Sequence, residues 1–346
     1  MRCSRAVSDG TSSSGDATTA GTAFIADRGD AAVRLDRAIL RHVPASLVRS
    51  RTQVQALIAS GAVEVNGRVA HRGSIRLAQG DRVRVTVGAR PTRTPLLPQA
   101  IGLDVLFEDE WLIAVNKPAG LIVHPSYKHP HDTLVNALLW RARTVDPSAE
   151  APHLLNRLDK WTSGVVAAAR TTSSHGALVR AMRTSGAQKT YLAVTYGGPR
   201  RTTGAIRFAL GRDASDRRRV VVSREGGRDS LTRYECLARS AGTRRGLSLL
   251  RCHLVTGRMH QIRVHLSASG WPVVGDPLYG RPGWEAVRDP HLAGAARHFA
   301  RQALHAWRLG FVHPFTGRAV SITASVPDDL RALLEASGLD AGLDLE

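Results

Sequence analysis

The sequence predicts an α+β protein: a small helix-hairpin domain followed by a larger domain of mixed elements. Three observations predict it. Short strand patterns mix with helical ones without regular βαβ alternation. A Pro-rich stretch, residues 90–100 (RPTRTPLLPQA), separates two regions of different pattern. The length of 346 residues suits two domains at roughly 150 residues each. Hydrophobic residues at 43% and charged residues at 22% provide for a core. No run approaches the ~18 uninterrupted apolar residues of a membrane-spanning helix. The first residues contain no apolar run, so no secretory signal is expected. Cys3, Cys236 and Cys252 are odd in number and lack C-x-x-C spacing, against a disulfide framework or a cysteine zinc site. A cytoplasmic protein is expected.

Residues 1–30 are rich in Ser, Thr, Gly, Ala and Asp and offer little to bury, so a disordered tail is expected. A small domain follows over 31–90. Val33, Ala38, Ile39 and Val43, with Leu35 beside them, read as a short amphipathic helix with Arg34, Arg37 and Arg41 on its polar side. Ser50 and Gln53 make a capping box for a second helix whose buried stripe is Val54, Leu57 and Ile58, and Gly61 stops it. Val63 and Val65, the Asn66-Gly67 pair, then Val69 read as a hairpin. Val83, Val85 and Val87 make one more strand.

The formal net charge is +19. A positive surplus favours a polyanionic partner, since each cation that neutralises a phosphate releases counterions. An Arg-rich genome would produce the same total, so distribution matters more. Between Arg34 and Arg90 there are eleven arginines and no lysine against Asp36, Glu64 and Asp81, a surplus of eight in one short module. This order resembles the αL-type RNA-binding module first recognised in a small-subunit ribosomal protein. Residues 50–70 (SRTQVQALIASGAVEVNGRVA) carry the likeness. The resemblance implies a basic face that grips structured RNA by backbone and shape.

A linker is expected over 91–101, the larger domain over 102–330 and a C-terminal tail over 331–346. Val105 to Phe107 and Trp111 to Val115 read as paired strands around a Glu108-Asp109-Glu110 turn. Thr133 to Arg141 and Ser173 to Met182 read as helices. Thr190 to Tyr196, Ser248 to Leu254 and Gln261 to Leu266 read as strands or strand-to-helix transitions.

The chemistry concentrates in residues 156–164 (NRLDKWTSG). In a strand, Arg157 and Asp159 would share a face. An aspartate with an ordinary pKa of about 3.9 is ionised at neutral pH and available as nucleophile or base. The plainer alternative is a surface ion pair before a turn. The stretch RLD-x-x-TSG resembles the catalytic motif of the RluA family of pseudouridine synthases, usually HRLD-x-x-TSG. Three more blocks match in order: residues 114–126 (AVNKPAGLIVHPS), 189–193 (KTYLA) and 257–280 (GRMHQIRVHLSASGWPVVGDPLYG). The likeness spans roughly residues 103–318. It implies a mixed, mainly antiparallel catalytic sheet and isomerisation of uridine in RNA, most of all large-subunit (23S) ribosomal RNA.

Carried over by position, the resemblance makes Asp159 the catalytic aspartate and Arg263 its partner. Arg157 would fill the space left by the extruded nucleotide, and Tyr191 would stack on the target base. It leaves three routes open for Asp159: attack on the ribose, addition to the ring, or removal of the 2′ proton. No cofactor is expected, and no nucleotide-binding loop occurs. No metal is expected either: His124, His129 and His131, and the pair His260 and His265, lack zinc spacing or an H-E-x-x-H helix. No G-x-S-x-G elbow is present. Asp276 is the second-choice acid, and Lys189 is read either as a phosphate contact or as cover for a strand edge. Two positions depart from the usual motif: Asn156 replaces His, and Trp161 replaces a polar residue. The expected partner is ribosomal RNA or a pre-ribosomal particle, with no membrane and no obligatory protein partner. The competing class is a non-catalytic RNA-binding or ribosome-assembly factor that retains the fold.

Overall fold

The computed structural model describes residues 20–44, 47–48, 50–87, 96–126, 129–184, 186–216, 218–223, 225–240, 246–281 and 283–340. Residues 1–19 of the expected tail (Cys3 among them), 91–95 of the expected linker and 341–346 lie outside the described residues. The chain divides after Pro95 into two compact units.

The first unit runs β1 (Ala20–Ile25), α1 (Leu35–His42), α2 (Arg51–Ala59), β2 (Val63–Val65), β3 (Arg68–Val69) and β4 (Arg82–Val87). Its strands lie in the order β1-β4-β2-β3, all antiparallel. Ser50 caps α2 as expected, accepting the Gln53 N–H at 3.2 Å. Asn66 and Gly67 adopt φ of 52° and 77°, the left-handed pair that a two-residue hairpin turn requires. Alternation in β4 buries Val83, Val85 and Val87 in one core with Leu35, Ile39, Val54 and Ile58, and leaves Arg82 and Arg84 in solvent.

Residues 20–30 correct the expectation of a disordered tail. Ala20 to Ile25 pair with β4 along their whole length, and Ala26 is buried. Backbone hydrogen bonds to an otherwise open strand edge order a segment whose side chains bury little. The charge surplus is also partly internal. Buried Asp36 accepts from Arg34 and Arg51, whose bonds, Arg34's first, hold its carboxyl below the usual range despite burial. Buried Asp30 accepts from Arg41 and lies 2.7 Å from the His42 ring.

The second unit begins with β5 (Asp104–Glu108), β6 (Leu112–Lys117), α3 (Leu134–Val145), β7 (His153–Leu154), β8 (Ser163–Ala169) and α4 (Thr172–Ala181). It continues with β9 (Gln188–Tyr196), β10 (Thr203–Arg212), β11 (Val220–Val222), β12 (Arg228–Arg239) and β13 (Leu247–Leu254). It ends with α5 (Gln261–Ala268), α6 (Pro290–His298), β14 (Leu304–Val312), β15 (Ala319–Thr323) and α7 (Asp328–Ala336). Among the described residues one sheet runs β11-β10-β12-β13-β9-β14-β8-β6-β5, with β15 on β14 and β7 on β8. The sheet is mixed and mainly antiparallel; among the described strands only β14 and β8 pair in parallel.

β8 explains the apolar run after the Asp159 motif. All its residues are buried between β14 and β6, and a strand covered on both faces reads as continuous apolar sequence. Gly164, at φ 111°, sits where a Cβ would collide with the Ala306 backbone. The Ser-Gly pair therefore lets the parallel strands approach.

Both ends of the second unit differ from expectation. Residues 96–101 of the expected linker are tied to α3: Asn136 Nδ2 donates to Leu97 O at 2.8 Å, and the Gln99 N–H donates to Asn136 O at 3.1 Å. Residues 331–340 are not a tail. α7 buries Leu330, Leu333 and Leu334, and Leu339 follows them into the core beside Ala306 and Trp307. That spacing is one apolar helix face, so burial holds the segment on the sheet. Gln261 to Ala268 resolves as a helix, sinking Ile262 and Leu266 into that same core.

Replacing Gly164 with Ala is expected to destabilise the second unit by about 3 kcal/mol or more, through backbone collision and a disfavoured φ. A denaturant midpoint unchanged from wild type would contradict this packing.

Candidate active site

β7 pairs with β8 through His153–Ala169 and Leu154–Ala168, and Leu155 adds one bond to Ala167 O at 2.8 Å. Backbone pairing then gives way to a side chain. Asn156 Nδ2 donates to Val165 O at 3.0 Å, and Oδ1 accepts the Ala167 N–H at 2.8 Å. The amide satisfies two β8 groups at once, so the backbone of 157–159 is free to leave the sheet. Arg157 and Asp159 consequently lie on a loop, not a strand.

The loop is tied down from several directions. Asp159 O accepts the Thr162 N–H at 3.1 Å, and Lys160 O accepts the Gly120 N–H at 2.8 Å. Fully buried Lys117 donates to Lys160 O, Pro118 O and Leu121 O at 3.1, 2.7 and 2.9 Å. Arg301 donates to Trp161 O at 3.3 Å while Asp329 of α7 holds its other edge at 2.6 and 2.7 Å. Ser163 donates to His305 Nδ1 at 2.9 Å, and His305 Nε2–H donates to Ala324 O at 3.2 Å. Burial pushes the His305 imidazole down to about 4, so it is neutral and can accept that hydroxyl.

Asp159 faces α5. Arg263 Nη1 donates to Asp159 Oδ2 at 2.8 Å, while Nε and Nη2 donate to Asp276 at 2.6 and 2.8 Å. Asp276 Oδ1 also accepts the N–H groups of Leu278 and Tyr279 at 2.9 and 3.1 Å. Gly275, at φ 68°, makes that turn possible, since a Cβ there would strike the Arg301 carbonyl. Burial opposes charge on Arg263, yet its bonds to Asp276 and the charge of Asp159 outweigh it and raise the guanidinium pKa. The chain runs from a side chain with no exposure, Asp276, through Arg263 at 4%, to Asp159 at 26%. Only the last member meets solvent appreciably.

Asp159, Arg263 and Tyr191 line one cleft of about 740 Å³ with Arg157. Tyr191 is buried; desolvation first, then the Asp159 charge, pushes its hydroxyl up, so the ring stays a neutral phenol. Arg157 is exposed. Lys189, Arg212 and Arg258 give the wall cationic character. All four site residues named from sequence border this space. Sequence reasoning missed the roles of Lys117, Asn156, Asp276 and His260. The two histidines of one flagged pair also separate. His265 is a core residue bonded to Ser230, and burial pushes it down to about 4, whereas His260 lines the cleft beside Asp159.

A family model described as RNA pseudouridylate synthase matches residues 111–268, and one described as S4 domain matches residues 33–83. Ribosomal large subunit pseudouridine synthase D of Xanthomonas campestris pv. campestris is 40% identical over 295 residues, covering 83% of this chain and 84% of that protein. The chain belongs to the RNA pseudouridylate synthase family. The Neisseria meningitidis protein of the same name is 36% identical, over 90% of this chain and 80% of that one. Among solved structures, human RNA Pseudouridylate Synthase Domain Containing 1 superimposes with a TM-score of 0.52 at 26% identity, covering 69% of this chain and 89% of that one. The synthase thus joins an S4 RNA-binding domain to a domain that isomerises uridine to pseudouridine in RNA. No described helix is long and apolar enough to cross a membrane.

Burial and the neighbouring Arg301 push the Lys117 ammonium down to about 7, against the pull of Asp159. Free lysine titrates near 10.4, so between about 7 and 10 the unfolded synthase binds the extra proton. Stability then rises with pH. Between pH 7 and pH 9 the stability of wild type relative to Lys117→Met is expected to increase by about 2 kcal/mol. Denaturant titrations at both pH values check this; a difference that stays level or falls counts against the assignment.

Proposed function

We propose that the synthase modifies large-subunit ribosomal RNA in the cytoplasm and that Asp159 is its catalytic residue. The carrying observation is a carboxylate held at 2.8 Å by a buried guanidinium, in a cleft shared with a buried aromatic ring. The curated relatives of N. meningitidis and X. campestris bear names that specify the large ribosomal subunit, and this supports the substrate. The residues from about 31 to 90 supply grip on structured RNA, with Arg82 and Arg84 on the exposed face of β4. Residues from about 102 onward supply the chemistry.

Isomerisation conserves every atom. The C1′–N1 bond breaks, the uracil turns, C1′ joins C5, the proton leaves C5, and N1 ends protonated. No external group is consumed. The uridine must first leave its stack, at a cost of a few kcal/mol. Stacking on the Tyr191 ring returns about 1–3 kcal/mol, and Arg157 at the cleft wall takes the vacated place in the RNA. Asp159 presents its carboxylate to the reacting uridine, its orientation set by Arg263 rather than by solvent.

The test maps pseudouridines in ribosomal RNA from cells lacking the gene, complemented with wild type or with Asp159→Asn. Loss of specific large-subunit pseudouridines, restored only by wild type, is the expected result. Restoration by Asp159→Asn would overturn the catalytic assignment. Sites lost from transfer RNA alone would overturn the substrate.

A further inference from the structure

His260 opens α5 with a left-handed backbone, φ 54° and ψ 19°, which a non-glycine residue adopts only under strain. Its side chain makes no cap bond to the helix it begins. The ring turns instead toward Tyr279, whose hydroxyl lies 2.9 Å from Nδ1. Tyr279 Oη also accepts the Val220 N–H at 2.8 Å, which anchors the hydroxyl where it meets Nδ1. When Tyr279 donates, Nδ1 accepts and the imidazole hydrogen sits on Nε2, the tautomer that turns a donor and not a lone pair toward the Asp159 carboxylate. That Nε2 lies 3.7 Å from Asp159 Oδ1, the oxygen Arg263 leaves free. The gap exceeds a hydrogen bond, but a ring or carboxylate tilt of about 0.8 Å closes it. Tyr279 also packs against both groups that reach Asp159: its ring meets His260 edge-on at 5.7 Å and lies 5.1 Å from the Arg263 guanidinium.

We propose that His260 is a positioning residue for Asp159: its neutral imidazole, fixed as the Nε2–H tautomer by Tyr279, steadies Oδ1 while Arg263 holds Oδ2. This rests on the reading of Asp159 as the catalytic carboxylate. Donors on both oxygens stop the carboxylate from rotating about its own axis, which one guanidinium contact does not. The strained backbone has a function on this view, because it aims the ring out of the helix and across the cleft. The charged and titratable groups facing the imidazole are Asp159 on its loop, Arg263 on α5, and Asp276 and Tyr279 on the turn after α5, with Arg219 behind the Tyr279 ring. Burial lowers the imidazole pKa, so the neutral donor is the form present at neutral pH.

The test compares His260→Gly with Asp159→Asn on a ribosomal RNA fragment bearing the target uridine. Glycine adopts the left-handed backbone without strain, so this variant is expected to fold. Its kcat is expected to fall about 10- to 100-fold, the scale of a misplaced catalytic group, with KM unchanged. Added imidazole is expected to restore activity, increasingly as pH rises through imidazole's own titration. A wild-type kcat in His260→Gly overturns the proposal, and so does a loss that imidazole does not reverse. Should the glycine variant fail to fold, His260→Asn also tolerates left-handed backbone and falls short of Asp159, so the same loss is expected of it; full activity there overturns the proposal. Activity in Asp159→Asn would instead overturn the reading on which the proposal rests.

Discussion

One buried guanidinium shared between two carboxylates sets the terms for the catalytic unit. A cation as enclosed as Arg263 is tenable only when paired and fully hydrogen-bonded. Asp276, with no exposed side-chain surface, supplies the pairing and is itself fixed by two backbone N–H groups. Asp276 occupies Nε and Nη2, and Arg263 turns Nη1 toward Asp159. The carboxylate at the cleft is thus aimed by a guanidinium that a fully buried carboxylate holds from behind. Breaking the chain at Arg263 or Asp276 strands a buried charge, so the site and the stability of the α5 region are linked.

The second constraint acts on the loop that carries Asp159. A strand end normally leaves its backbone groups to a neighbouring strand. Here Asn156 supplies two side-chain atoms in place of the next backbone pair, and the chain turns out of the sheet at that residue. Three carbonyls in and near the loop converge on Lys117, and α7 reaches it through Asp329 and Arg301. The C-terminal helix, far away in sequence, is part of what holds the loop.

Local features were legible in the sequence. The Asn66-Gly67 hairpin, the Ser50 cap and the buried run after Asp159 all follow from short-range rules that the structure obeys. Asp159, Arg157, Tyr191 and Arg263 were reachable through motif resemblance, and all four border the cleft. Periodicity has no means of showing that Arg263 meets Asp159 across 104 residues, or that Asp276 completes the chain. Asn156 was visible only as a departure from the usual histidine; its use as a backbone substitute needs the β8 register. β1 escaped because backbone pairing, not side-chain burial, orders it. α7 escaped for a different reason: its apolar face was present in the sequence but lay beyond the last matching motif.

The geometry of the shared guanidinium, apart from its charge, is tested most directly by the single-turnover rate of pseudouridine formation in Arg263→Lys. Lysine keeps the positive charge but is a point donor that does not span both carboxylates. A rate about 100-fold lower, with RNA affinity and fold retained, is the predicted result. A rate within about threefold of wild type would show that charge alone suffices, contradicting positioning by the Asp276–Arg263–Asp159 chain.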